Sequence, residues 1–197
     1  MTSIATNQKA IRVHYNGIKN SQIENDAYLR ISGGKRINNA SDDAAGLFIA
    51  GRMKAQISGL ERAVKNTHDG ISLVNAAEAN LDEIRNIVLR MREIAVQMAN
   101  GIYSDNPDRS YAQLEVDQLL QQIDLIAVHA NFNGVKLLDG TFQGVGIQTG
   151  PTGDERPRIF FKDNTTAGLN IENIDVGSQS NARSAMNTLE TALISIS

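Results

Sequence analysis

Cysteine and tryptophan are missing from this 197-residue chain, proline occurs three times, and aromatic residues make up only 5% of it. Without cysteine there are no disulfide staples, no thiolate nucleophile and no Cys-ligated zinc. The shortage of proline and of large aromatics fits helices and bundles rather than a β-sandwich. No apolar run reaches the roughly 18 residues that a membrane span needs. The opening stretch MTSIATNQKAIRVHYNGIKN lacks the apolar segment of a leader, so no cleaved signal peptide is expected. The net charge of -3 also lacks the basic footprint of a nucleic-acid binder.

What the chain does have is length enough to bury a core, and an uneven spread of charge. Residues 1–40 carry six Lys/Arg against two acids, whereas residues 101–140 carry two against six. Opposite poles favour head-to-tail contact between copies of the chain.

The strongest pattern is helical. Met53, Ile57, Leu60, Val64, Thr67, Ile71, Val74, Ala77, Leu81, Ile84, Val88, Met91, Ala95 and Met98 recur at steps of three and four, with one stammer at Ile71–Val74–Ala77. No proline occurs between Ser41 and Asn100. At 1.5 Å per residue this seam predicts a helical stretch of about 69 Å, in the range of coiled coils rather than of ordinary globular helices. Ser41 is the expected N-cap of a helix over 41–100, with Asp42 and Asp43 in its first turn facing the positive end of the dipole. Ser32-Gly33-Gly34 ends whatever precedes it, and Asn100-Gly101 predicts a left-handed helix ending. Asp105-Asn106-Pro107 then reads as a turn.

A second helix is expected over 108–130, with Val116, Leu119, Leu120, Ile123, Ile126, Ala127 and Ala130 on its apolar stripe, folding back antiparallel along the first. In the region 134–180, GVGIQTG and PRIFF flank Gly150-Pro151-Thr152-Gly153-Asp154, which predicts a small β-hairpin. From Asn181 the pattern is helical again through Ala185, Met186, Leu189, Ala192, Leu193 and Ile196, and this helix is expected to be incomplete at Ser197. The first thirty residues read as a helix that needs a partner surface. Ile4, Ile11 and Ile18 recur every seven, but Arg12, His14, Gly17 and Glu24 interrupt any wide apolar face. The fold class expected is therefore mainly α: a long antiparallel, coiled-coil-like helical rod with a small β-hairpin region.

Chemistry-bearing patterns are weak. His14, His68 and His129 are scattered, and no HExxH motif occurs, so no metal is expected. Neighbouring Asp42 and Asp43 do not face each other on a helix and are explained as capping acids. Gly140, Gly144, Gly146 and Gly150 form no phosphate-cradling motif, no GxSxG occurs, and no catalytic residue or cofactor is expected. Lys35-Arg36 is too short for a nucleic-acid patch. Arg85, Arg90 and Arg92 alternate with Asp82, Glu83 and Glu93, which reads either as a solvated face with weak ion pairs or as a contact surface.

Four segments carry a family resemblance. The run Arg30-Ile31-Ser32-Gly33-Gly34-Lys35-Arg36-Ile37-Asn38-Asn39-Ala40-Ser41-Asp42-Asp43-Ala44-Ala45-Gly46 resembles the junction segment of bacterial flagellin, where a terminal helix meets the long rod helix. Asn66-Thr67-His68-Asp69-Gly70-Ile71-Ser72 is similar to the family's N-x-x-D-G-I-S stretch. Leu89-Arg90-Met91-Arg92-Glu93-Ile94-Ala95-Val96-Gln97 resembles the L-x-R-V-R-E-L-A-V-Q segment, and Phe132-Asn133-Gly134-Val135-Lys136-Leu137-Leu138 the F-N-G-V-K-L-L loop. Together they span most of residues 1–140 in the family's order.

The resemblance implies a structural, non-enzymatic subunit that passes through the flagellar export apparatus, without a cleaved signal peptide, and assembles with copies of itself into an extracellular filament for motility. It implies three segments: a core helix and junction over 1–40, a rod region over 41–180, and the start of a C-terminal rod helix over 181–197. It places the junction and helix start at Arg36, Ile37, Asn38, Ser41, Asp42 and Asp43. It places a surface for subunit or Toll-like innate receptor contact at Leu89, Arg90, Arg92, Glu93, Ile94 and Gln97, with Glu115 beside it. Departures from the family are the missing variable outer domains and C-terminal core helix, and Arg12, Gly17 and Glu24 at positions that tend to be apolar. Alternatives are a hook–filament junction protein and a flagellin-like surface or receptor-binding protein that forms no filament.

Overall fold

The computed structural model describes residues 7–142 and 144–196. Two compact units divide it, Met1–Gly59 and Leu60–Ser197. Helix α1 spans Gln8–Gly33 and helix α2 spans Ala44–Met98, so α2 begins in the first unit and ends in the second. An irregular turn at Asp105–Arg109 leads into α3, Ser110–His129. Four two-residue strands follow: β1 (Asn131–Phe132), β2 (Val135–Lys136), β3 (Val145–Gly146) and β4 (Arg158–Ile159). Helix α4, Gln179–Ser195, completes the order. The fold is mainly α with small antiparallel β pairs.

In the first unit, Asn7 caps α1 by accepting the Ala10 amide at 3.2 Å, and Gly34, left-handed at φ 59°, ends it. That conformation costs a glycine little, which explains the Gly-Gly stop. No residue of α1 is buried. Ile4 of the heptad reading lies outside the described residues, while Ile11 and Ile18 are exposed.

The start of α2 departs from expectation. The helix begins at Ala44, and Asp43 rather than Ser41 fills the cap: its carboxylate accepts the Gly46 amide at 2.8 Å and its carbonyl accepts the Leu47 amide at 2.9 Å. Asp42 is not in the helix either. It turns back to accept the amides of Asn38 (3.1 Å) and Asn39 (3.2 Å). Two neighbouring carboxylates thus cap two different structures, one the junction turn and the other the helix.

The second unit has one core. Ile84, Val88 and Met91 of α2, Val116 and Ile123 of α3, Leu137, Leu138, Ile171 and Val176 of the connecting segments, and Leu189 of α4 are fully buried. Each such side chain stabilises the fold by roughly 1.5–3 kcal/mol through removal from water. As the chain advances from Arg109 into α3 at Glu115, its contacts step back along α2 from Met98 to Arg90, so the two helices run antiparallel. Polar clasps then position the rest. Gln113 of α3 donates to the Ile174 carbonyl at 3.0 Å and accepts the Val176 amide at 2.7 Å. Asp124 accepts both the amide and the hydroxyl of Thr166, and Gln179 at the start of α4 donates to the Ala99 carbonyl.

The expected hairpin is present: β3 and β4 pair antiparallel with Val145 opposite Ile159, and the pairing continues through the Ile147 amide to the Pro157 carbonyl and the Thr149 amide to the Glu155 carbonyl. A tighter hairpin also forms from β1 and β2 around Asn133 and Gly134, both at positive φ. The Asn-Gly pair is the usual signal for such a turn.

Candidate functional site

The predicted heptad seam of α2 splits into two environments. Ala77, Ile84, Val88, Met91, Ala95 and Met98 are buried, whereas Met53, Ile57, Leu60, Val64, Ile71 and Val74 are exposed. Over the exposed stretch a second row (Ala63, Gly70, Leu73) is covered instead. The β3–β4 hairpin does the covering: Ile147 packs directly over Gly70, and the Asn66 side chain donates to the Gln148 carbonyl at 3.0 Å. The hairpin lies beside the exposed seam and forms with it a shallow apolar groove, lined by Thr67, Ile71 and Val74 on the helix and by Ile147, Pro157 and Ile159 on the hairpin. The surface left open is thus the same stripe that is core further along the helix.

At the junction, Arg30 of α1 reaches Asp42 at 3.0 Å. The Asn38 amide above all, then that of Asn39 and the Arg30 guanidinium, hold the Asp42 carboxyl below the usual aspartate range. Ile37 packs over Gly46, where a Cβ would meet its Cδ1 at 3.0 Å, while Arg36 and Ser41 are exposed.

The expected contact residues separate by face. Arg90 donates to Glu115 across the two helices at 2.9 and 3.1 Å and to Glu93 within α2 at 3.2 Å. Glu115 first, and then Glu93, hold the guanidinium more firmly protonated than usual. Leu89, Arg90, Glu93, Gln97 and Glu115 are exposed, and Gln97 donates to the Tyr103 hydroxyl at 3.2 Å. Ile94 is not on that outer face: at 3% exposure it belongs to the core. Arg92 is half-buried, and its Nε has no hydrogen-bond partner among the described residues.

One residue central to this end of the molecule was not legible from the sequence. Arg109 is 3% exposed and donates to the carbonyls of Met98 (2.9 Å), Asn100 (2.8 Å) and Tyr103 (2.6 Å) and to the Asp105 carboxylate (2.6 Å). It satisfies carbonyls at and beyond the C-terminal end of α2, where the dipole favours a cation. The left-handed ending expected at Asn100-Gly101 is accordingly absent, since Gly101 is not at positive φ. Among the described residues no group of three or more His, Asp and Glu gathers as metal ligands would, and no helix is long and apolar enough to cross a membrane.

Long helices, a stripe that changes from core to open surface, and the Arg90–Glu115 ion pair between α2 and α3 define a mainly helical protein with an apolar helix face left open. The chain belongs to the bacterial flagellin family: the family's N-terminal helical region matches residues 4–143. It is 36% identical over 195 residues to the flagellar filament 30.7 kDa core protein of Treponema maltophilum, covering 91% of this chain and 68% of that one. It is 40% identical over 182 residues to the flagellar filament 33 kDa core protein of Treponema phagedenis, covering 83% and 63%. With polar flagellin F of Vibrio parahaemolyticus it shares 37% identity over 190 residues, 96% of this chain and 50% of the relative. The crystal structure of Bacillus cereus flagellin superposes with a TM-score of 0.59 at 31% identity, covering 67% of this chain and 76% of that one. The chain spans between half and about two thirds of the length of these curated relatives.

Proposed function

We propose that the chain is a structural subunit of a bacterial flagellar filament, that it assembles with copies of itself through its long helices, and that it has no enzymatic activity. The observation that carries this reading is the open seam: Met53, Ile57, Leu60, Val64, Ile71 and Val74 stand in water in the single chain, although they continue the stripe that is core beyond Ala77. A contiguous apolar row of this kind marks a surface that packs against another helix. Helix α1, with no buried residue, has the same need. On this reading the subunit lies outside the cell and reaches it through the flagellar export apparatus without a cleaved leader. Purified chain, brought to assembly conditions and viewed by electron microscopy, forms filaments on this reading. A chain that remains monomeric at every concentration and with added filament seeds overturns it.

The Arg90–Glu93–Glu115 cluster supports a second role on the same molecule, contact with a Toll-like receptor. It joins α2 and α3 in one charged, exposed surface bordered by Leu89 and Gln97. Receptor activation by an Arg90→Ala variant falls on this reading, and undiminished activation rejects it.

A further inference from the structure

The β3–β4 hairpin has a second face besides the one that covers Gly70. From Arg156 to Lys162 the side chains fall on two faces. The odd positions turn inward: Pro157 and Ile159 line the groove, and Phe161 packs against Phe142 with ring centroids 5.0 Å apart. The even positions, Arg156, Arg158, Phe160 and Lys162, are all exposed. Glycines prepare this face. The Phe160 ring lies over Gly144 and the Arg156 side chain over Gly146, whose carbonyl accepts from Arg156 Nε at 3.2 Å. Phe160, at 65% exposure, is therefore held flat on the sheet instead of being covered. None of the three cations takes part in an ion pair among the described residues.

Three unpaired cations about 6.6 Å apart or a multiple of it, as alternate strand residues are, form an electrostatic template on a chain whose net charge is negative. The matching row is on α2. Glu78, Asp82 and Glu83 are exposed and unpaired among the described residues, and Glu78 and Asp82 are one helical turn apart, about 6 Å. Ala79, small and exposed, lies one turn before Asp82 and Glu83 and leaves room for a ring beside them.

We propose that the outer face of the hairpin, Arg156, Arg158, Phe160 and Lys162, docks on the Glu78–Asp82–Glu83 stripe of a second copy of this chain. This proposal rests on the filament reading and names one contact within it. The complementarity of sign makes the contact salt-sensitive and sets its register. The hairpin then has two jobs on two faces: the inner covers Gly70 of its own α2, and the outer holds a neighbour.

The test follows self-association of the 197-residue chain by light scattering at about 50 mM and about 500 mM salt, concentrations at which the screening length differs severalfold. The wild-type chain needs a higher concentration to associate at the higher salt. Arg158→Glu and Asp82→Arg each raise the critical concentration at low salt, by about tenfold, as loss and reversal of a few exposed pairs would. The double variant, which exchanges the charges, recovers most of the loss. Circular dichroism and urea midpoints like those of the wild type show that the variants are folded. Association that is unchanged in both single variants, or that the double variant does not recover, overturns the contact and leaves the filament reading standing. Binding of heparin or polyphosphate that is lost in Arg158→Glu, with self-association unchanged, shows instead that the face takes an acidic polymer. A wild-type chain that never associates removes the filament reading and this contact with it.

Discussion

Past the last turn of α2 the carbonyls of Met98 and Asn100 would be left without helical partners, and the Arg109 guanidinium gathers both, together with that of Tyr103. Removing the guanidinium leaves several part-buried carbonyls unsatisfied, each costing on the order of 1–3 kcal/mol where water cannot reach it. Arg109→Met is expected to destabilise the second unit by about 2–4 kcal/mol, read from the urea midpoint, and Arg109→Lys to recover only part, since an ammonium lacks the planar fork. A midpoint within about 0.5 kcal/mol of wild type for Arg109→Met removes this account, that being the scale of an ordinary surface change. The sequence shows an arginine in the turn but not what it holds, because its acceptors come from the preceding helix and loop.

Asp42 makes a prediction in pH. Its carboxyl is held below the ordinary value of 3.8 chiefly by the Asn38 amide, then by that of Asn39 and by Arg30. A carboxylate whose folded pKa is lowered adds stability above its unfolded pKa, and that contribution is lost as pH falls through the folded value. The junction turn is therefore fully stabilised well above pH 3.8 and loosens below it. The Asn38 and Asn39 amide resonances should titrate together with a midpoint below 3.8, and the transition should vanish in Asp42→Asn. A midpoint at or above 3.8 in the wild-type chain speaks against these hydrogen bonds to Asp42.

At the scale of elements, periodicity and turn chemistry carried most of the fold. The α2 seam, the α3 stripe, the Gly150–Asp154 turn and the return to helix near Asn181 were all readable, because each depends on local spacing. The helix start was misread at Ser41 because three capping residues stand in a row, and only the turn before them decides which one caps. Ile94, put on the contact surface by the family resemblance, is in the core instead, because a motif match names the residues of a segment without saying which of them turn inward. The docking of the hairpin belongs to this scale as well. Glycine in the middle of a helix costs up to about 1 kcal/mol relative to alanine, and Gly70 is present because Ile147 occupies the space where a side chain would be. Gly70→Leu is expected to lift the hairpin from α2, with overpacking of about 1–3 kcal/mol and faster proteolysis within residues 150–155. If cleavage there is no faster than in wild type, the hairpin is held elsewhere.

For the whole molecule the question is why one stripe has two fates. Ile84 is 0% and Val64 57% exposed, yet both sit in the same three-and-four repeat of α2. The repeat reports that both positions are meant to be covered, and it is silent about by what. For Ile84 the answer lies within the chain: it is part of the core that α2 shares with α3, α4 and the segments between them. For Val64 no described part of the chain supplies the cover, so its energetic value appears only when another helix arrives. The two positions should therefore respond to different assays. Ile84→Ala is expected to cost about 2–5 kcal/mol, as cavities at buried Leu and Ile positions do, with a matching fall in the urea midpoint. Val64→Asp should leave the midpoint within about 1 kcal/mol of wild type, since it changes an exposed helix position only. It should nevertheless suppress filament growth from seeds, because it places a charge where an apolar surface is to be buried. If Val64→Asp unfolds as readily as Ile84→Ala, the seam is already covered within the chain. If it is as stable as wild type and grows filaments equally well, the open half of the stripe is not where subunits meet.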